Sequence, residues 1–289
     1  MVANDILTMI QDNMSGFSKG QKLIANFILN YYDKAAFMTA SKLGKTVNVS
    51  ESTVVRFAAE LGFDGYPSMQ KALQEMIRNK LTSIQRIEVS NDRIGNQDVL
   101  SMVMQSDVEK IRLTLEETDR ESFSQAVEAI CRAKTIYILG VRSASVLANF
   151  LSFYFQYIFE HVVNIDTVSI SEVFEQTIHV GAEDVFIGLS FPRYSKRTVT
   201  AMEYAKSQGA QVIAITDSEA SPLLPLADFS LIAKSDMASF VDSLVAPLSL
   251  VNALIVAVSR KKDQELQVTL GKLEEIWAKY EVYDKPAGN

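Results

Sequence analysis

Two stretches of this 289-residue chain carry side chains whose types and spacing can do chemistry. The first is Ser50-Glu51-Ser52-Thr53-Val54-Val55-Arg56, which sets hydroxyls, a carboxylate and a guanidinium within two helical turns. On a helix that starts at Ser50, Val54 and Phe57 pack inward and Glu51, Ser52, Val55 and Arg56 face out, with Ser50 and Thr53 at the margin. An arginine presented this way matches the paired acceptors of guanine in the major groove, and serine or threonine can bond to bases or phosphate. Lys42, Lys45 and Lys71 can add phosphate contacts, which set affinity rather than sequence preference.

The second stretch is a pair of loops. Gly140-Val141-Arg142-Ser143-Ala144-Ser145 follows an apolar run and leads into a helix, so its N–H groups and the helix dipole can meet an anion. It is not the dinucleotide fingerprint G-x-G-x-x-G, because Arg142 stands where the second glycine would be. Ser190-Phe191-Pro192-Arg193-Tyr194-Ser195-Lys196-Arg197-Thr198 follows another apolar run and adds hydroxyls and a guanidinium. The candidate anion ligands are Gly140, Arg142, Ser143, Ser145, Ser190, Arg193, Ser195 and Thr198. Each serine alone could equally cap a helix, and Arg142 and Arg193 could pair with Glu172 or Glu175.

Catalysis and metal binding have less to work with. A sugar isomerisation needs a general base, for which Glu172, Glu175, His161 and His179 are available. Glu172 and Glu175 are three apart, as on any solvated helix face, and His179 falls at a helix end. No catalytic residue is therefore expected. One cysteine, Cys131, excludes an internal disulfide, and with two histidines a Cys/His zinc site is not expected, nor any cofactor. The longest uncharged apolar stretch, 243–259, contains Pro247 and Asn252 and falls short of the roughly 20 residues a membrane span needs. No basic segment precedes the apolar residues at the start, so the expected location is the cytoplasm.

The elements that must position these groups change character along the chain. Residues 1–90 carry 10 Lys/Arg against 8 Asp/Glu, and the remainder 18 against 27, so the net charge of −7 hides a mildly basic first part. That first part is helical by period. Ser18 to Gln21 has capping-box spacing before Leu23, Ile24, Phe27 and Ile28, and further helices are expected near 37–46, 50–61 and 66–81. Within 40–61, Leu43 and Val47 face the core, Gly44 is small where two helices cross, and Asn48 suits a left-handed turn. Ser50 caps the second helix. The pattern is a helix-turn-helix.

Residues 88–98 are polar and read as a linker, placing a helix-turn-helix domain at 1–87 and a second domain at 99–289. There Met104, Val108, Ile111 and Leu115 form one helix face. Thr118 to Glu121 has capping-box spacing ahead of Phe123, Val127 and Ile130. Apolar runs at 135–139, 162–168, 185–189, 212–215 and 229–232 alternate with helices near 144–158, 171–178, 196–207 and 239–259. That alternation predicts a doubly wound, three-layer α/β domain with a parallel sheet. Ligands of such sheets bind outside the carboxyl ends of the strands, where both anion loops lie. Leu266, Leu270, Leu273 and Trp277 make a last stripe, for the chain's own sheet or for another subunit.

The run V-S-E-S-T-V-V-R-F-A-A-E-L-G-F-D-G-Y-P at 49–67, followed by a sugar-isomerase-type (SIS) domain, resembles the RpiR (MurR/RpiR) family of bacterial transcriptional regulators over nearly the full length. The resemblance implies a cytoplasmic homodimer or homotetramer that binds double-stranded operator DNA and senses a phosphosugar, not a membrane protein. It also implies that Ser143, Ser145, Ser190, Ser195 and Thr198 bind the phosphate. Family loops usually read G-x-G-x-S and S-x-S-G-x-T; here Arg142 and Pro192-Arg193-Tyr194 take the places of glycines. SIS domains also occur in phosphosugar isomerases, which makes an isomerase with a fused DNA-binding domain the alternative.

Overall fold

The computed structural model describes residues 6–78, 81–95, 98–167, 169–237 and 239–283. It divides into two compact units, Met1–Val103 with Met237–Asp242, and Met104–Asp236 with Ser243–Asn289. The helices of the first part are α1 (Ile6–Asp12), α2 (Lys19–Asn30), α3 (Tyr32–Ala35), α4 (Ala40–Thr46), α5 (Glu51–Glu60), α6 (Gly65–Arg78) and α7 (Ser83–Ile94). Helix α8 (Val99–Glu117) spans the division between the units, and α9 (Arg120–Arg132) follows. Then come β1 (Ile136–Gly140), α10 (Ala144–Phe155), β2 (Val162–Asn164), α11 (Ile170–Gln176), β3 (Val185–Leu189), α12 (Lys196–Ser207), β4 (Gln211–Thr216), β5 (Phe229–Ile232), α13 (Val245–Lys261) and α14 (Asp263–Tyr280).

In the helical unit Ser18 caps α2 through the expected capping box, and Ile24, Ala25 and Ile28 turn its apolar stripe into a core shared with Leu43, Val54 and Phe57. Helix α6 braces the entry to α4: the Tyr66 hydroxyl and Gln70 Nε2 both donate to the Met38 carbonyl, at 2.7 and 2.8 Å. Burial pushes the Tyr66 phenol up to about 12, so that donor stays protonated throughout the physiological range.

The part of the expected linker from 88 to 94 is helix, the end of α7. Thr82 opens it with a capping box to Gln85, and Arg86, Val89 and Ser90 are buried. Two of those three buried positions are polar, so an apolar period could not reveal the inward face. Arg86 is only 2% exposed, and its Nη1 lies 2.8 Å from Oδ1 of Asp242. Both belong to the helical unit although they are 156 residues apart in sequence. Met237 packs against the helical core as well.

The helix expected from 239 therefore begins only at Val245. Pro247 has no N–H for the Ser243 carbonyl, and its ring would clash there in a helix interior; in the first turn it is tolerated. Asp242→Ala should lower the stability of the helical unit by about 1.5–3 kcal/mol, the net worth of a hydrogen bond to a charged group. Denaturant unfolding followed by circular dichroism checks this, and an unchanged midpoint would show that the ion pair contributes nothing.

The α/β unit is a five-stranded parallel sheet in the order β2-β1-β3-β4-β5. Side chains alternate between its faces, as the strand period requires. Ile136, Ile138, Ile187 and Ile213 point toward α9, α10 and α13, while Tyr137, Leu139, Phe186 and Val212 meet α11 and α12. β1 and β3 are buried along their whole length, which explains their unbroken apolar sequence. Strand β2 ends at Asn164 rather than running to 168, and Val168 lies outside the described residues.

The second expected capping box also differs. Asp119 caps α9 by accepting from Glu121 N–H at 2.9 Å, because the Thr118 backbone N–H and hydroxyl both still bond to the Thr114 carbonyl at the end of α8. On α8, Met104, Val108 and Leu115 are 59–65% exposed and Ile111 is 37% exposed. Helix α14 has no fully buried residue, and Leu266, Leu270, Leu273 and Trp277 are half-buried, Leu266 against the sheet core.

Candidate functional site

The first site is built on α4, the turn 47–50 and α5. Gly44 lets the turn approach: the Val49 N–H donates to the Gly44 carbonyl at 2.8 Å, and a Cβ on Gly44 would come within 2.9 Å of the Val49 carbonyl oxygen. Asn48 has φ 59°, a left-handed conformation whose cost asparagine bears better than most residues. The Ser50 hydroxyl caps α5, accepting from Thr53 N–H at 3.2 Å, and exchanges hydrogen bonds with Ser52 and Thr53 at 2.9 and 2.8 Å. The Thr53 methyl turns toward α2, over Gly20.

Helix packing thus separates the candidates. Ser50 and Thr53 are engaged by the cap and by α2. Glu51, Ser52, Val55 and Arg56 form the exposed face, and Lys45 is exposed on α4. Arg56 Nε–H donates to the Ser52 carbonyl at 3.3 Å, which lays the guanidinium back along α5 toward its N-terminal end.

The second site lies at the carboxyl edge of the sheet. Gly140 pairs with Leu189, so the loops after β1 and β3 leave adjacent strands side by side. A Cβ on Gly140 would collide with the Ala144 carbonyl, so only glycine lets α10 start so close to the strand. Arg142 follows with φ 60°, and Arg193 in the other loop has φ 67°. Both arginines occupy the left-handed conformation that a glycine would adopt without strain.

Ser143, at the N-cap of α10, makes no side-chain cap, and a left-handed residue followed by a right-handed one turns successive N–H groups toward a common point. The Ser145 hydroxyl is spent on the Arg142 carbonyl at 2.6 Å. In the β3 loop Ser195 caps α12 by accepting from Thr198 N–H at 3.3 Å, and donates its own N–H to the Ser190 hydroxyl at 3.0 Å. Ser190 and Thr198 are buried, and the Thr198 hydroxyl has no hydrogen-bond partner among the described residues.

Thr216, Asp217 and Ser218, beside these loops, are not among the sequence candidates. The Tyr194 hydroxyl donates to Asp217 Oδ1 at 2.9 Å and lies 3.4 Å from the Ser218 hydroxyl, while Thr216 donates to the Ser190 carbonyl at 2.8 Å. The loop after β4 thus supports the loop after β3; the run Thr216-Asp217-Ser218 at a strand's carboxyl end was the available signal. Arg197 reaches the Thr167 carbonyl after β2 at 2.9 Å. Of the candidate bases, Glu172 accepts from the Thr167 hydroxyl, and His161, Glu175 and His179 are exposed. No described helix is long and apolar enough to cross a membrane.

Residues 4–80 match the helix-turn-helix domain of the rpiR family, and residues 129–257 match the SIS domain. An uncharacterised HTH-type transcriptional regulator of Caldanaerobacter subterraneus subsp. tengcongensis is 24% identical over 279 residues, 94% of this chain and 96% of that protein. Another from Clostridium perfringens is 25% identical over 78% of this chain and 80% of its own length. Among solved structures, Vibrio vulnificus NanR in complex with ManNAc-6P superposes with TM-score 0.59 at 23% identity, covering 95% of this chain and 98% of that one. The sugar isomerase domain of the RpiR transcription factor from Sphaerobacter thermophilus gives TM-score 0.59 at 27% identity, over 62% of this chain and 99% of that one. With an rpiR-type helix-turn-helix domain followed by a SIS domain, the chain belongs to the RpiR family of HTH–SIS transcriptional regulators.

Proposed function

We infer that this regulator reads duplex DNA through the exposed face of α5, with Arg56 and Ser52 on bases and Lys45 on phosphate. Its operator affinity is adjusted by a small anionic metabolite, a sugar phosphate, held between the 140–145 and 190–198 loops. The observation that carries the sensing role is the pair of left-handed arginines, Arg142 and Arg193, on adjacent loops. Left-handed backbone at a non-glycine residue costs energy and concentrates at ligand sites, and an arginine there adds a charge-assisted donor to the backbone N–H groups. The ManNAc-6P bound by Vibrio vulnificus NanR, which shares the fold, supports a phosphosugar as the ligand class.

The SIS domain acts as a sensor rather than an isomerase. The relatives are named as transcriptional regulators, and of the four candidate bases His161, Glu175 and His179 are exposed while Glu172 is engaged by the Thr167 hydroxyl. The working form is a homodimer: the apolar rows on α8 and α14 suit a second copy, and two reading helices would meet half-sites about 34–36 Å apart or a multiple of that.

The test uses duplex selected from a random library by the full-length protein, read by fluorescence anisotropy while sugar phosphates are titrated. The matching sugar phosphate should shift affinity about tenfold, which needs about 1.4 kcal/mol of coupling. Ser190→Ala and Arg193→Ala should weaken the response. An effector to which both variants respond like wild type would place the site elsewhere, and interconversion of any phosphosugar by the protein would overturn the sensor reading.

A further inference from the structure

Helix α5 presents one feature that a guanidinium, a hydroxyl and a carboxylate do not explain. Val54 and Phe57 are fully buried, yet Val55, which follows Val54 and precedes Arg56, is 42% exposed, the one large apolar side chain so exposed among the described residues of α5. It sits midway on the outward row Glu51, Val55, Ala59, with Ser52 and Arg56 on the parallel row beside it. A β-branched residue on a solvated helix face lowers helix propensity and leaves apolar area in water, so the position is unfavourable in the free protein.

A single valine ringed by Glu51, Ser52 and Arg56 is too small an apolar patch to seat a protein partner. It does match one surface well. The major-groove edge of a thymine offers one methyl group set among polar base atoms.

We propose that Val55 is a specificity-determining residue that seats the C5 methyl of a thymine beside the base read by Arg56. The proposal rests on the assignment of α5 as the reading helix. Arg56 leans back onto the Ser52 carbonyl, toward the N-terminal end of α5, so its head group and the Val55 methyls reach neighbouring positions along the groove. Hydrogen bonds then identify one base pair and an apolar contact its neighbour. Such a site separates thymine from uracil, and 5-methylcytosine from cytosine, by the methyl alone.

The experiment uses the full chain and a duplex selected by wild type from a random library, with each thymine replaced in turn by deoxyuridine. At one thymine position wild type should bind about three- to fivefold more weakly without the methyl, the worth of one buried methyl group. Val55→Ala should bind the thymine and deoxyuridine duplexes alike, and Val55→Thr, which keeps one methyl, should retain part of the preference. A cytosine placed there should regain the same factor when methylated at C5.

Since Val55 is exposed and alanine is the better helix former, Val55→Ala should melt at or slightly above wild type, so a lost preference is not a lost fold. A wild type indifferent to every thymine methyl, or a Val55→Ala variant with the wild-type ratio, would overturn the proposal. So would a Val55→Ala variant that changes the mass by light scattering while keeping that ratio, since Val55 would then face a second copy. If wild type selects no sequence at all, or Arg56→Ala binds the selected duplex like wild type, the assignment of α5 fails first and takes the proposal with it.

Discussion

Arg142→Gly should bind the effector about ten- to a hundredfold more weakly while leaving the fold as stable as before or more so. The two signs come from different sources. Left-handed backbone costs an L-residue about 1–2 kcal/mol, and glycine at φ 60° escapes it. Glycine gives back about 0.5–1 kcal/mol in unfolded-chain entropy, so the net runs from about zero to about 1.5 kcal/mol in favour of the variant. The binding loss reflects a guanidinium-to-anion bond worth about 1.5–3 kcal/mol net. Calorimetry with the effector and denaturant midpoints without it read the two quantities separately. A variant that unfolds more easily and binds normally would make Arg142 a structural residue. Arg193→Gly should repeat the binding loss.

Arg56→Ala should cost about 1–3 kcal/mol at the selected duplex and relax the preference at one base position. The side chain is exposed and, among the described residues, is anchored through Nε to the Ser52 carbonyl, so removing it should not disturb the packing of Val54 and Phe57 beneath. Lys45→Ala offers the contrast. A phosphate contact weakens all sequences alike and lowers the salt dependence by about one unit of slope, without changing base preference. Reselecting duplexes with each variant reads both effects. If Arg56→Ala behaved as Lys45→Ala does, Arg56 would touch the backbone and sequence would be read elsewhere on α5.

The sequence by itself determined the helix-turn-helix and the parallel sheet, because both are written in neighbouring residues. The Ser18 and Ser50 caps, the left-handed Asn48 and the small Gly44 at the crossing follow from contacts within a few positions, and the wholly apolar β1 and β3 are legible as short unbroken runs. It also placed both candidate loops, 140–145 and 190–198, at the carboxyl ends of strands, since strand–loop–helix order requires it. Only the tertiary structure decided which polar residues are spent inside the fold. Arg86 meets Asp242 across 156 residues, and Ser90 is buried in a stretch that reads as linker, because an apolar period cannot register an inward face built from polar groups. Pro247 moved the start of α13 to Val245 and left Met237–Asp242 to the helical unit. Among the eight anion-loop candidates, Ser145 and Ser195 proved to hold their own backbones, and Arg142 and Arg193 proved to carry the glycine conformation. Residue type constrains a side chain's chemistry, but its partner is chosen by which strands lie adjacent, and that is a property of the folded sheet.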